Sequence, residues 1–283
     1  MVVLAGLILA TGHAASRQES ARLDQTREGK DFDFHWAAGD IEPEGLEYGV
    51  AQAEKYSKAV TGFLGHGPDA RLQILLLGPA EVDGKQRGSP RVDREGRIHL
   101  FRYGPTYHGY FGPLPHEMVH AFRIGRAPHH DWFFEEGFAE FVALRVGKSM
   151  KGFPWYDTPV TIAAGQWLAR NEDIPLQILR EKHAEINMAC RAQSYSLRSS
   201  FFDWLGRTYG DEPVMKMASR EKAGALEDYE TLFGKSFDAL AAEWREAVLK
   251  AYGGLADADA QAENYRTGTP IQYMPVCRKG TDF

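Results

Sequence analysis

Cysteine is scarce in this chain. Only Cys190 and Cys277 occur among 283 residues, and they are far apart. Neither has the Cys-x-x-Cys spacing of a thiolate metal site or a redox pair, which excludes that chemistry. One bridge between them is compatible with an oxidising compartment, and two unrelated thiols are the alternative. Basic residues are also short: 33 Lys and Arg against 39 Asp and Glu leave a net charge of −6. No basic stripe interrupts that balance, which argues against a nucleic-acid partner. Long apolar runs are missing too. The stretch from Met1 to Ala15 falls short of the ~20 residues that a membrane span needs, and nothing later in the chain replaces it. It ends in small residues and reads as a secretory signal cut after Ala14 or Ala15, although it lacks a positively charged start. A secreted or periplasmic protein without a transmembrane span in its mature chain is the expectation. Internal repeats and low-complexity tracts are absent.

What remains is an ordinary globular composition. At 43% hydrophobic residues the chain can build a proper core. Its length suits one large domain or two intimate subdomains. Residues 16–30 are polar and expected to be poorly ordered. Phe32-Asp33-Phe34-His35-Trp36 alternates as a half-buried strand does. Leu46, Val50, Ala53, Tyr56, Val60 and Leu64 recur at helical spacing over residues 43–64. Short apolar runs at Arg71–Leu77 and Arg97–Tyr103 read as strands that end at Gly-Pro pairs. Beyond residue 155 the pattern is helical, at about 158–170, 175–187, 195–209, 211–219 and 236–252, with Gly234 marking a turn between helices. The expected fold is α+β, with a strand-bearing part over 30–155, a helical part over 156–252 and an irregular tail over 253–283.

The chemistry concentrates in His116-Glu117-Met118-Val119-His120. Residues i and i+4 share one face of a helix, so both imidazoles can point at one ion. Glu117 lies about 100° around the helix from His116 and can act as a base without coordinating the metal itself. The pentapeptide alone is weak: with 10 His and 22 Glu in the chain, about three shuffled sequences in a hundred would contain it by chance. Its surroundings add weight. Pro115 suits a first helical turn and Gly125 a helix stop. Met118, Val119, Phe122 and Ile124 supply an inward face. A second amphipathic helix is expected over 131–144, where Glu136 and Glu140 share a face. Glu135 rivals Glu136, since adjacent positions face about 100° apart and only one can reach the metal. In the loop between, His129 and His130 are either extra ligands or ordinary loop residues before an Asp131 cap. Tyr107, His108 and Tyr110, in a Gly/Pro-rich loop, either line the cleft or pack.

The run His116-Glu117-x-x-His120, followed by Trp132-Phe133-Phe134-Glu135-Glu136-Gly137-Phe138-Ala139-Glu140-Phe141, resembles the gluzincin zinc metallopeptidases, in their peptidase MA-like branch. Thermolysin-like and aminopeptidase-type enzymes are distant relatives. A later stretch, Ser194-Tyr195-Ser196 through Phe201-Phe202-Asp203-Trp204-Leu205 to Tyr209-Gly210, is similar to a helix of that family. Leu232-Phe233-Gly234 through Trp244 is similar to its closing helices. The resemblance spans roughly residues 45–252. It implies a zincin-like fold with the active-site cleft between the strand-bearing and helical parts. It implies Zn2+ held by His116, His120 and Glu136, Glu117 as general base, and Glu140 accepting a hydrogen bond from a ligating histidine. It implies that Tyr195 steadies the oxyanion, against the alternative that it simply packs. Arg198, one turn on, either contacts substrate or caps a surface. The strand Arg97–Tyr103 is expected to border the cleft and pair with an extended substrate backbone. A Gly-Ala-Met-Glu-Asn run, which binds a free amino terminus in the aminopeptidases, is absent. Arg123 and Arg126 stand where metzincins need Gly and His.

The expected function is therefore a zinc-dependent peptidase, an endopeptidase by the missing amino-terminus site, that hydrolyses peptide or protein substrates through a metal-activated water. Two alternatives are a catalytically inactive zincin-fold binding or scaffold protein, and a metal hydrolase acting on another bond.

Overall fold

A strand buried on both faces reads as a continuous apolar run, and Ile74-Leu75-Leu76-Leu77 is buried throughout in β3 (Leu72–Pro79). The computed structural model describes residues 23–253 except 83–84, 87, 103–105, 125, 127–130, 148–159, 172, 184 and 187–189. The signal-like segment 1–15, the tail after Gly253, Gly125, His129, His130 and Cys277 thus lie outside the described residues. Two compact units divide the chain, the first running to Phe122 and the second starting at Arg123.

In the first unit, β2 (Phe32–Trp36) pairs parallel to β3, with Phe34 opposite Ile74. Phe32 and Phe34 turn into the core. Alternating with them, Asp33 and His35 meet Gln73, whose amide accepts from His35 and donates to Asp33. The parallel pairing requires a crossover, supplied by α1 (Pro43–Leu64). Proline opens α1 in its first turn, and Gly65 closes it at φ 77°, donating its N–H to Thr61. Ala53, Tyr56 and Val60 form its buried stripe. At Gly49 a Cβ would come within 2.3 Å of the Phe111 ring, so only glycine fits there. The sheet continues through β7 (Ile98–Arg102), again parallel to β3.

Three features differ from the sequence reading. Polar Gln25–Glu28, expected to be poorly ordered, forms an exposed edge strand β1, antiparallel to β2. Its backbone makes the pairing, so its side chains carry no apolar signal. Next, β4 (Glu81–Val82) and β5 (Lys85–Gln86) form a separate small hairpin, and β6 (Arg91–Val92) pairs antiparallel to β7, giving the order β1-β2-β3-β7-β6. The strand expected to border a cleft is therefore not outermost: β6 covers Ile98 and His99. Finally, the segment around Tyr107–Tyr110 is not an open loop. It includes a single helical turn, α2 (His108–Phe111), with Tyr110 fully buried and Tyr107 against Tyr48 and Gly45. The first unit ends within α3 (Leu114–Arg123).

The second unit is helical. It comprises α4 (Trp132–Gly147), α5 (Val160–Ala169), α6 (Leu176–Glu181), α7 (Arg191–Tyr209), α8 (Asp211–Ala218), α9 (Leu226–Phe233) and α10 (Phe237–Tyr252). Helix α7 is the hub, touching α4, α5, α6, α8 and α10. Phe133 of α4, Phe201 and Phe202 of α7 and Phe237 of α10 meet at ring spacings of 5.5–6.1 Å, mostly edge to face. Helix α4 is not amphipathic as expected. Phe133, Phe134, Phe138, Phe141 and Val142 are fully buried on one half and Ala139, Ala143 and Val146 are buried on the other, so apolar residues fall on every side of it. Helix α9 had been given no range, although Gly234, which ends it at φ 71°, stands at the expected turn between helices. The protein is thus mixed α+β, mostly helical with a small sheet. No helix among the described residues is long and apolar enough to cross a membrane.

Candidate metal centre

Helix α3 carries the two histidines. Pro115 lies in its first turn, and the Glu117 N–H bonds the Pro113 carbonyl. His116 and His120 stand one turn apart with rings nearly perpendicular, 77°, and centroids 4.8 Å apart. Their Nε2 atoms are 3.1 Å from each other. Two nitrogens bound to one tetrahedral zinc at 2.0–2.1 Å would be about 3.3 Å apart, so the pair already has a chelating spacing. His116 and Glu117 are buried. Met118, Val119 and Phe122 are buried as expected, but Ile124 is not: it follows the last residue of α3 and is exposed.

Helix α4 carries the carboxylates. Asp131 precedes it, and its Oδ1 accepts from the Phe134 N–H at 3.2 Å, the capping bond expected of an Asp there. Its other oxygen takes Arg180 at 2.9 Å. Glu135 and Glu136 have different partners. Glu135 is buried and pairs with Arg123 through two bonds, Nε to Oε2 at 3.1 Å and Nη2 to Oε1 at 2.7 Å. Arg123 also donates to the Ala218 carbonyl and lies 4.8 Å over the Phe138 ring. Such a two-pronged pair consumes both Glu135 oxygens. Glu136 instead is grouped with the histidines: one donor atom each from His116, His120 and Glu136 all lie within 4.8 Å of one another. Glu140, one turn beyond Glu136, is fully buried.

No family model matches this chain, and no curated protein matches it.

Two imidazoles and one carboxylate are the donor set of a catalytic zinc, which leaves a fourth position open. By its chemistry this group could hold a metal ion. Around Glu136 the second unit adds charges and a donor. The Tyr195 phenol donates to Glu136 Oε2 at 2.7 Å. Burial, and then the neighbouring carboxylate, push the Tyr195 phenol far above its usual range, so it stays a protonated donor. Arg198 is fully buried, which excludes the surface-cap alternative. Its Nη2 sits 3.6 Å from the same Oε2, an ion pair too long for a hydrogen bond. Its Nη1 donates to His183 Nδ1 at 3.2 Å. Burial, and then the Arg198 charge, push His183 down from 6.5 to about 4, so near neutral pH it is the neutral acceptor that this bond needs. The His183 ring in turn stacks parallel to Trp132, 6.1 Å away.

Arg123 and His183 carry no sequence motif for these roles. Arg198 left a faint signal: Tyr195, Arg198 and Phe202 recur at i, i+3 and i+7, a single stripe along α7. Cys190, at the start of α7, is fully buried and is not a free thiol. Its expected partner lies outside the described residues.

Proposed function

We propose that this protein is a zinc-dependent peptidase of the gluzincin type, with a zincin-like arrangement, cleaving within peptide or protein chains. The observation that carries the reading is the gathering of His116, His120 and Glu136 donor atoms within 4.8 Å, with Glu117 buried on the same helix as the histidines. His116, His120 and Glu136 would hold the ion. When bound, the metal supplies a Lewis acid that makes water acidic near neutral pH and polarises a carbonyl. Glu117 is the base in this reading: it accepts the proton from the attacking water and returns it to the departing amine nitrogen. The C–N bond breaks, a C–O bond forms, and the products are a carboxylate and an amine. Fixing Glu117 in a buried helical turn limits its rotamers, which favours proton transfer at one place. Glu140 is suited to accept the remaining N–H of a ligating histidine and so fix its tautomer.

A purely structural metal site has no need of Glu117, which makes that residue the discriminating one. In Glu117→Gln, peptide cleavage should fall by roughly 10²–10⁴-fold while zinc content stays at the parental level. Parental cleavage rates in that variant would remove Glu117 from the mechanism. A parent that binds zinc but cleaves neither peptides nor other acyl substrates would favour the scaffold alternative.

A further inference from the structure

Glu136 is the one candidate ligand whose side chain has three torsions to fix, and it stands on a helix facing another helix. A carboxylate left to itself would sample several rotamers and could offer a metal one oxygen or both. Here one of its oxygens is already engaged. Oε2 receives the Tyr195 hydroxyl at 2.7 Å, and the Arg198 guanidinium stands 3.6 Å from the same atom. The two residues come from successive turns of α7, and Phe202 continues their stripe.

What brings that stripe so close is the residue after the ligand. A Cβ on Gly137 would lie 2.2 Å from the Phe202 ring and 3.1 Å from Arg198 Cγ. With no side chain there, α7 settles directly onto α4 and delivers Tyr195 and Arg198 to Glu136. Arg198 also depends on this contact. It is fully buried, and among the described residues neither its Nε nor its Nη2 has a hydrogen-bond acceptor. A buried guanidinium needs a counter-charge. Its ion-pair partner here is Glu136, while Nη1 is held by His183. The Arg198 guanidinium further lies 4.7 Å over the Tyr195 ring, so the two anchors brace each other.

We propose that Tyr195 and Arg198 are positioning residues for Glu136: by holding Oε2 they fix the orientation in which its carboxylate is presented to a metal. This inference rests on the metal-centre reading above and deepens it. It gives Tyr195 a task on the ligand rather than on the substrate. It also explains why the Gly of the Glu-Gly-Phe-Ala run cannot carry a side chain.

The test is zinc affinity, measured on the full chain by competition with a chromophoric chelator, together with the visible spectrum of the cobalt-substituted protein. Tyr195→Phe removes one hydroxyl, and Arg198→Lys keeps the charge but not the planar reach to both Glu136 and His183. Each should weaken zinc binding by about 10-fold or more, the usual effect of losing a partner that orients a ligand. In Tyr195→Phe the cobalt bands should shift as a carboxylate no longer held through Oε2 changes its orientation toward the metal. Trp244→Phe serves as the control. It breaks a buried bond to Ser200 elsewhere on α7, and should lower the melting temperature while leaving zinc affinity unchanged. If the parent binds zinc and Tyr195→Phe binds it equally tightly with an unchanged cobalt spectrum, the inference is overturned and the metal centre stands. If the parent takes up no zinc, both are overturned. Should Arg198→Lys not fold, Tyr195→Phe decides alone.

Discussion

Glu135 and Glu136 are the same residue type at adjacent positions, yet they have opposite surroundings. Glu135 meets a guanidinium that saturates both its oxygens, whereas Glu136 meets two imidazoles, a phenol and a more distant guanidinium. The difference follows from the ~100° turn between neighbours on a helix. It leads to an asymmetric expectation. Glu135→Gln strips the counter-charge from buried Arg123 and should cost roughly 3–5 kcal/mol of stability, with zinc affinity retained in the folded protein. Glu136→Gln should abolish tight zinc binding. Paired calorimetric titration with zinc and denaturant unfolding reads both quantities. Zinc affinity lost in Glu135→Gln and kept in Glu136→Gln would reverse the ligand assignment. At this scale the sequence was informative where the chemistry is local. The spacing of His116 and His120 is set within one helix and could be read directly. That Arg123 takes Glu135, and that Arg198 reaches Glu136, depends on contacts 12 and 62 positions apart along the chain, which no local pattern encodes.

Between α4 and α7 the contact is made by aromatic rings and by a missing side chain. Phe133 and Phe134 of α4 pack on Phe202 at 5.7 and 5.6 Å, and Phe202 fills the space above Gly137. Gly137→Ala places a methyl where the ring and Arg198 already are. Overpacking of this kind costs about 1–3 kcal/mol. Because the same helix face carries Tyr195 and Arg198, the variant should also loosen zinc binding. Thermal unfolding and chelator competition on Gly137→Ala check this. A variant as stable as the parent with parental zinc affinity would show that the close approach of α7 is not needed. The elements themselves were legible to differing degrees, for physical reasons. Helix α1 stood out because Leu46, Val50, Ala53, Tyr56, Val60 and Leu64 recur at helical spacing. The all-round burial of α4 was missed because a helix packed on several sides loses the one-sided pattern that reveals it. Strand β1 was missed because it is polar and exposed throughout, and β6 because two residues are too few to show a period.

For the whole molecule, the proposed reaction asks an acidic α+β chain to unite a histidine pair, two carboxylates with separate tasks and a supporting helix. The coarse composition, with its net charge of −6, argued against a nucleic-acid partner but named no substrate. The α+β class was legible because alternating and helical periodicities occupy different stretches of the chain. The strand order could not be read, since it depends on how β7 inserts between β3 and β6. The central claim is a reaction: metal-dependent hydrolysis of peptide bonds. Its most direct measurement is cleavage of a mixed peptide library by the purified full chain, followed by mass spectrometry, before and after removal of metal with a chelator. The account predicts internal cleavage that disappears with the metal and returns when Zn2+ is added back. Cleavage that persists unchanged in chelator, or its complete absence in a zinc-loaded, folded protein, would contradict it.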